Sequence, residues 1–265
     1  MIPIRNAVPS RYPPVITWML IAVNCLVFVF QDSLSPSELV QFVRQFALIP
    51  ALYSDFLTSG ETDLAATDFL PFFTMMFLHG GWFHLLGNML YLWIFGNNVE
   101  DVLGRGRYLL FYLTCGIVAA LAQAFSNPIS HIPMVGASGA IAGVLGAYLL
   151  LHPGANVRCF VWIVIFFRIV NVPAWAMLGL WFTMQLVSGL MAAPGRPGVA
   201  FWAHVGGFVT GLVLVMVLRP SGITLLQPPR SQAFATAPPG SFIGRRSSYR
   251  GSVPQAGRRP RSPWE

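Results

Sequence analysis

Four side chains in this sequence have the chemistry of acyl transfer, and they lie far apart along it: His84, Asn88, Ser138 and His204. A serine hydroxyl is a weak nucleophile until a base takes its proton, and histidine is the usual base because its pKa lies near working pH. The tetrahedral intermediate then needs donors aimed at its oxygen. Ser138 heads an apolar run, so a helix opening there would present unpaired backbone N–H groups beside it. His84 and Asn88 are spaced i, i+4 on one helical face and can add side-chain donors. A third, acidic member is hard to find. Of the nine carboxylates none falls inside an apolar run at this depth, Asp68 being the nearest. The set reads as a Ser138–His204 dyad rather than a triad of the soluble type.

Lipid-spanning elements must bring these residues together. The chain has 265 residues, 55% hydrophobic and 9% charged, where a soluble domain carries about a quarter charged. Its apolar runs are about 17–25 residues long, the length that crosses a hydrocarbon core. Six spans can be placed: Pro14–Phe30, Phe72–Asn97, Tyr108–Phe125, a short fourth at Ser138–Leu151, Val172–Met191 and Val199–Leu218. The first run is too long for a signal-peptide core and lacks a small-residue cleavage site. The connection Gln31–Phe69 opens a short helix-like stretch at Glu38–Leu48. The apolar but arginine-bearing segment Val157–Ile169 reads better as interfacial than as the start of the fifth span, because Arg158 and Arg168 then reach headgroups.

All sixteen basic residues are arginine. Arg5, Arg11, Arg105, Arg107, Arg158, Arg219 and the tail fall on one side, while Arg44 and Arg196 fall on the other with most of the acids. That is a positive-inside pattern with both termini cytoplasmic. The net charge of +7 is concentrated in the tail and does not point to nucleic acid. The expected organisation is a cytoplasmic N-terminus (1–13), a six-span domain (14–219, with the outer loop 31–69) and a disordered Arg/Pro/Ser-rich cytoplasmic tail (220–265). The fold class expected is an all-α, polytopic six-helix bundle.

With that topology, the spans carrying His84 and Asn88, Ser138, and His204 all enter from the outer side. His204 stands about five residues into its span, roughly 8 Å below the helix start at 1.5 Å per residue, and the other three are at similar depth. Small residues at four-residue spacing (Gly139 and Gly143; Gly207 and Gly211) let membrane helices approach closely and would join spans four and six. Elsewhere the ordinary readings apply. Asn24 reads as an interhelical hydrogen bond, His79 and His131 as surface residues, His152 as a helix-end residue, and Cys25, Cys115 and Cys159 as small buried side chains.

The motifs resemble those of rhomboid proteases. Gly136-Ala137-Ser138-Gly139 is similar to that family's G-x-S-G nucleophile motif. Ala203-His204-Val205-Gly206-Gly207 with Gly211 resembles its sixth-helix pattern, His84-Leu85-Leu86-Gly87-Asn88 its second-helix H-x-x-x-N, and Glu100-Asp101-Val102-Leu103-Gly104 the acidic turn that follows. The resemblance covers roughly Leu70–Leu218. It implies a serine endopeptidase that cleaves transmembrane protein substrates in or near their membrane segment, in the lipid bilayer of a bacterial inner membrane. It also implies an oxyanion site from His84, Asn88 and the Ser138 backbone, with no metal or cofactor. Ala142 stands where many members carry an aromatic residue, so no ring is expected from that position to support His204. The Trp-Arg pair that some members carry in the first outer loop has no counterpart in Gln31–Phe69. The alternative is an inactive relative that binds membrane clients without cutting; it would be expected to have lost Ser138 or His204, and both are present.

Overall fold

The computed structural model describes residues 2–59, 66–163, 166–192 and 198–227. In chain order its main elements are β1 (Ile2–Asn6), α1 (Val15–Ser33), α2 (Pro36–Phe46), α3 (Pro50–Ser59), α4 (Pro71–Thr74), α5 (Trp82–Tyr91), α6 (Asn97–Leu103), α7 (Arg105–Ser126), α8 (Ser138–Leu151), β2 (Asn156–Ile163), β3 (Phe166–Pro173), α9 (Ala174–Met191) and α10 (Phe201–Leu218). Four helices, α1, α7, α9 and α10, are long and apolar enough to cross a membrane. Thr67–Phe77 and Trp82–Leu103 together qualify as a fifth span, bent by 80°. α8, at 14 residues, is shorter.

α8 is central because it is almost wholly apolar and small-faced. Nearly every residue from Gly139 to Tyr148 is buried, as for a helix enclosed by other helices. α10 lies against it backbone to backbone. A Cβ at Gly207 would sit 2.9 Å from the carbonyl carbon of Gly139, and one at Gly143 would lie 3.2 Å from the Gly207 oxygen and 2.5 Å from Cys115 Sγ. The expected four-residue glycine spacing thus serves a real α8–α10 contact. α7 closes the other side with Tyr108, Phe111, Tyr112 and Cys115 fully buried.

The second expected span, Phe72–Asn97, is not one helix. α4 and a 3-10 turn at Met75–Phe77 precede a break at Leu78–Gly81, and α5 starts only at Trp82, after Gly81 at φ 154°. α5 then continues through a π-helical turn, Leu92–Gly96, into α6. Hydropathy sums apolar character and does not register the turn that Gly80-Gly81 allows. The outer connection is also more structured than expected. α2 is fixed by a Ser35/Glu38 capping box, and α3 follows it.

The all-α expectation needs correction. β1, β2 and β3 form an antiparallel sheet in that order, so the described residues of Val157–Ile169 lie on two paired strands, with α9 beginning after Pro173. Alternation explains it: Val157 and Cys159 are buried whereas Arg158 and Trp162 are exposed, the period-2 pattern of a half-covered strand. The connection from β1 to α1 and the first turn of α1 are held by α6. Asp101 accepts from the Arg11 and Tyr12 N–H groups, and buried Glu100 accepts from Ile16 N, Thr17 N and Thr17 Oγ1. A carboxylate at the first turn of α1 satisfies orphan donors and complements the helix dipole. Asn24 was expected to bond another helix; its amide instead donates to Leu20 O one turn back in α1. Of the segment expected to be a disordered tail, Pro220–Gln227 is turned back on the bundle, where Leu226 N and Gln227 N donate to the Leu150 and Leu151 carbonyls. Residues 228–265 lie outside the described residues.

Candidate active site

Ser138 is the first residue of α8, and Gly136, two residues earlier, sets its approach. Gly136 has φ 125°, a conformation that disfavours any residue with a Cβ. Its N–H donates to Met75 O at 2.9 Å, which ties the entry of α8 to the broken entry of α5. A Cβ on Gly136 would lie 2.8 Å from both His84 Cε1 and Nε2 and 3.7 Å from Asn88 Nδ2. The α5 pair His84 and Asn88 therefore flanks the turn that delivers Ser138.

α10 carries His204 from the other side. Its N-terminus is held by α7, where Gln123 Oε1 accepts from the Trp202 and Ala203 N–H groups at 3.0 and 3.2 Å. His204 is 9% exposed, and its Nε2 lies 2.8 Å from Ser138 Oγ. Its Nδ1 lies 2.8 Å from Gln185 Oε1 on α9. An amide oxygen only accepts, so Nδ1–H donates to Gln185 and Nε2 is left with its lone pair facing the serine hydroxyl. This is the tautomer a general base requires. The Trp181 ring, one turn before Gln185, lies 5.7 Å from the imidazole at 35°. Ala142 on α8 supplies no ring to His204; the ring beside it comes from α9.

The sequence reading did not single out Gln185, Trp181 or Gln123. The available signal was a lone amide inside each of two otherwise apolar spans, which is costly unless bonded, with Trp181 and Gln185 at i, i+4. His79 is also reassigned. It was expected at the surface, but it is 1% exposed. Its Nε2 is 3.0 Å from Asn88 Nδ2 and its ring is edge-on to His84 at 5.1 Å. Gln31 of α1 brackets its backbone, donating to His79 O and accepting from His79 N. His79 thus orients Asn88 from behind. His131 is exposed, as expected.

His84, Asn88, Ser138, Trp181 and His204 line one cavity of about 770 Å³, large enough for a peptide segment and mixed in its lining. In chemical terms the cavity presents a hydroxyl on a neutral base, the first-turn N–H groups of a helix, and two polar side chains of α5 near that turn.

A mostly helical, multi-pass integral membrane protein is the class these spans and this buried polar site define. A family model for the rhomboid domain matches residues 66–221, more than half of the chain, which belongs to the rhomboid family. The chain is 35% identical over 143 residues to "Rhomboid protease GluP" of Bacillus subtilis, covering 54% of this chain and 26% of that protein. It is 30% identical over 159 residues to "Rhomboid-type serine protease 2" of Emericella nidulans, covering 59% and 28%. It is 27% identical over 156 residues to "Rhomboid protein 1, mitochondrial" of Saccharomyces cerevisiae, covering 57% and 41%. The chain spans about a quarter to a half of the length of the curated relatives it matches.

Proposed function

We propose that this chain is an intramembrane serine endopeptidase that cleaves membrane-anchored proteins in or near their transmembrane segment. The observation that carries the reading is His204, bonded at Nε2 to Ser138 Oγ and at Nδ1 to Gln185. Nε2 takes the Ser138 proton as Oγ attacks the scissile carbonyl carbon. The new oxyanion is met by the Ser138 N–H and by His84 and Asn88. The C–N bond then breaks as the leaving amine takes the proton from His204, and an acyl ester on Ser138 remains. Water, deprotonated by the same imidazole, attacks that ester, and as the C–Oγ bond breaks the imidazolium gives the proton to Ser138 Oγ.

Gln185 acts here as a positioning residue, the place an acid takes in soluble triads, holding the tautomer without adding a charge inside the membrane. We place the chain in a bacterial inner membrane with six spans, counting α8 as a short span. In this arrangement residues 1–13 and the tail 220–265 are on the cytoplasmic side and residues 14–219 form the protease domain. The deciding experiment compares the purified protein with Ser138→Ala on a model transmembrane substrate in liposomes. Cleavage by the parent and none by the variant supports the proposal. Equal cleavage by both removes Ser138 as nucleophile. No cleavage by either favours a client-binding relative.

A further inference from the structure

The three-stranded sheet has one covered face and one open face, and the open face has an amphipathic order unlike that of a sheet facing water. The pairing Arg5↔Arg158↔Asn171 sets a polar row across all three strands. One step along the hairpin comes Ile2↔Phe160↔Ile169, and beyond it Trp162↔Phe167. Trp162 is 71% and Phe167 72% exposed. On the opposite face Pro3, Val157 and Cys159 are buried near the base of the sheet, while Arg168, paired with Val161 toward the tip, is exposed. An antiparallel sheet with one solvated face normally turns polar residues outward. Here the outward face is aromatic and aliphatic at the tip and cationic at the base.

The cationic base is unusual in itself. Like charges directly opposite across strands are destabilising, and among the described residues neither Arg5 nor Arg158 has an acidic partner. Both line a concavity of about 590 Å³ with Asn97, Asn171, Ser10 and Trp93. Trp93 is exposed and stands where an indole marks a membrane–water boundary. The sheet follows the C-terminal end of α8, about 20 Å along that helix from Ser138 at 1.5 Å per residue. It therefore meets the leaflet on the far side from the candidate active site.

We propose that this face is a docking surface for anionic phospholipid. The headgroup phosphate lies between the Arg5 and Arg158 guanidiniums, and the acyl chains run over Phe160, Ile169, Trp162 and Phe167. Charge complementarity identifies the occupant. Paired guanidiniums match phosphate oxygens, the neighbouring apolar rows match hydrocarbon, and the sheet adjoins α9, which itself exposes Trp175, Leu180 and Met184. Anionic surfaces favour each nearby arginine by roughly five-fold, so removing two should cost roughly twenty-five-fold in preference. The inference rests on the chain being a membrane protein and not on its active-site assignment.

The test uses the full chain in mixed micelles, titrated with brominated phosphatidylglycerol or brominated phosphatidylcholine while tryptophan fluorescence is followed. Phosphatidylglycerol should quench at a lower mole fraction, and the Trp93→Phe/Trp162→Phe variant should lose that excess. Arg5→Gln/Arg158→Gln should bring the two lipids level. Asn171→Asp keeps both arginines but gives them an internal anion, and should do the same if the double variant fails to fold. Equal quenching by the two lipids in the parent overturns the proposal. So does a preference that survives both charge variants. Loss of the preference in millimolar inorganic phosphate at constant ionic strength would identify a soluble-anion site and also overturn it.

Discussion

Replacing Gly207 by alanine tests whether the α8–α10 contact sets the reaction geometry. The added Cβ would collide with the Gly139 carbonyl, most closely at its oxygen and 2.9 Å from its carbon, so reaching ordinary van der Waals separation requires the backbones to part by about 1 Å or more. Gly139 follows Ser138 directly, and His204 is one turn before Gly207 on the same face of α10. The same displacement carries the 2.8 Å Ser138–His204 contact to about 3.8 Å or more, beyond a working hydrogen bond. Misplacement by about 1 Å costs roughly a hundred-fold in rate, and overpacking costs about 1–3 kcal/mol of stability. The assay is cleavage of a transmembrane reporter in proteoliposomes, with kcat and KM resolved, alongside thermal unfolding. kcat should fall roughly a hundred-fold with KM little changed and most of the protein still folded. Gly179→Ala on α9 is the control, since a Cβ there meets nothing within 4 Å. Full activity in Gly207→Ala at an unchanged unfolding temperature would refute the claim that this contact sets the Ser138–His204 distance.

Other substitutions separate the remaining roles. Gln185→Leu removes the acceptor on Nδ1 and should lower kcat by about a hundred-fold or more without raising KM, while Gln185→Glu, which can accept the same hydrogen bond, should recover much of the rate. Parity between the leucine and glutamate variants would remove Gln185 from the positioning of His204. Asn88→Ala should cost about a hundred- to a thousand-fold in kcat if Asn88 donates to the oxyanion, and single-turnover rates with saturating substrate would measure it. Glu100→Ala strands the Ile16 and Thr17 N–H groups and the Thr17 hydroxyl, each worth about 1–3 kcal/mol if left unsatisfied. It should lower the unfolding midpoint in detergent more than Asp101→Ala, whose partners lie near solvent and can turn to water.

The sequence was most legible where one local rule governed the outcome. α8 opens at Ser138 and closes at Leu151 as read, because a turn-forming Gly136-Ala137 precedes a continuous apolar run and Pro153 follows it. The order of the spans alone was enough to expect His84, Asn88, Ser138 and His204 near one another, and all four line one cavity. The parts that escaped depend on partners remote in sequence. Gln123 becomes a cap only when α10 lies beside α7. Gln185 becomes a positioning group only when α9 lies beside α10. His79 reads as an outer-loop residue until the bend at Gly80-Gly81 folds it under α5. The sheet was hidden for a different reason. The apolar, arginine-bearing stretch Val157–Ile169 reads by total hydropathy as interfacial, and its alternation is the weaker signal.

Both groups that steady the imidazole, the Gln185 amide and the Trp181 ring, belong to α9, whereas the serine and the histidine belong to α8 and α10. Any excursion that carries α9 away from the bundle takes both supports with it and leaves His204 free to change tautomer. In the proposed protease the state of the base is therefore tied to the contact between α9 and α10.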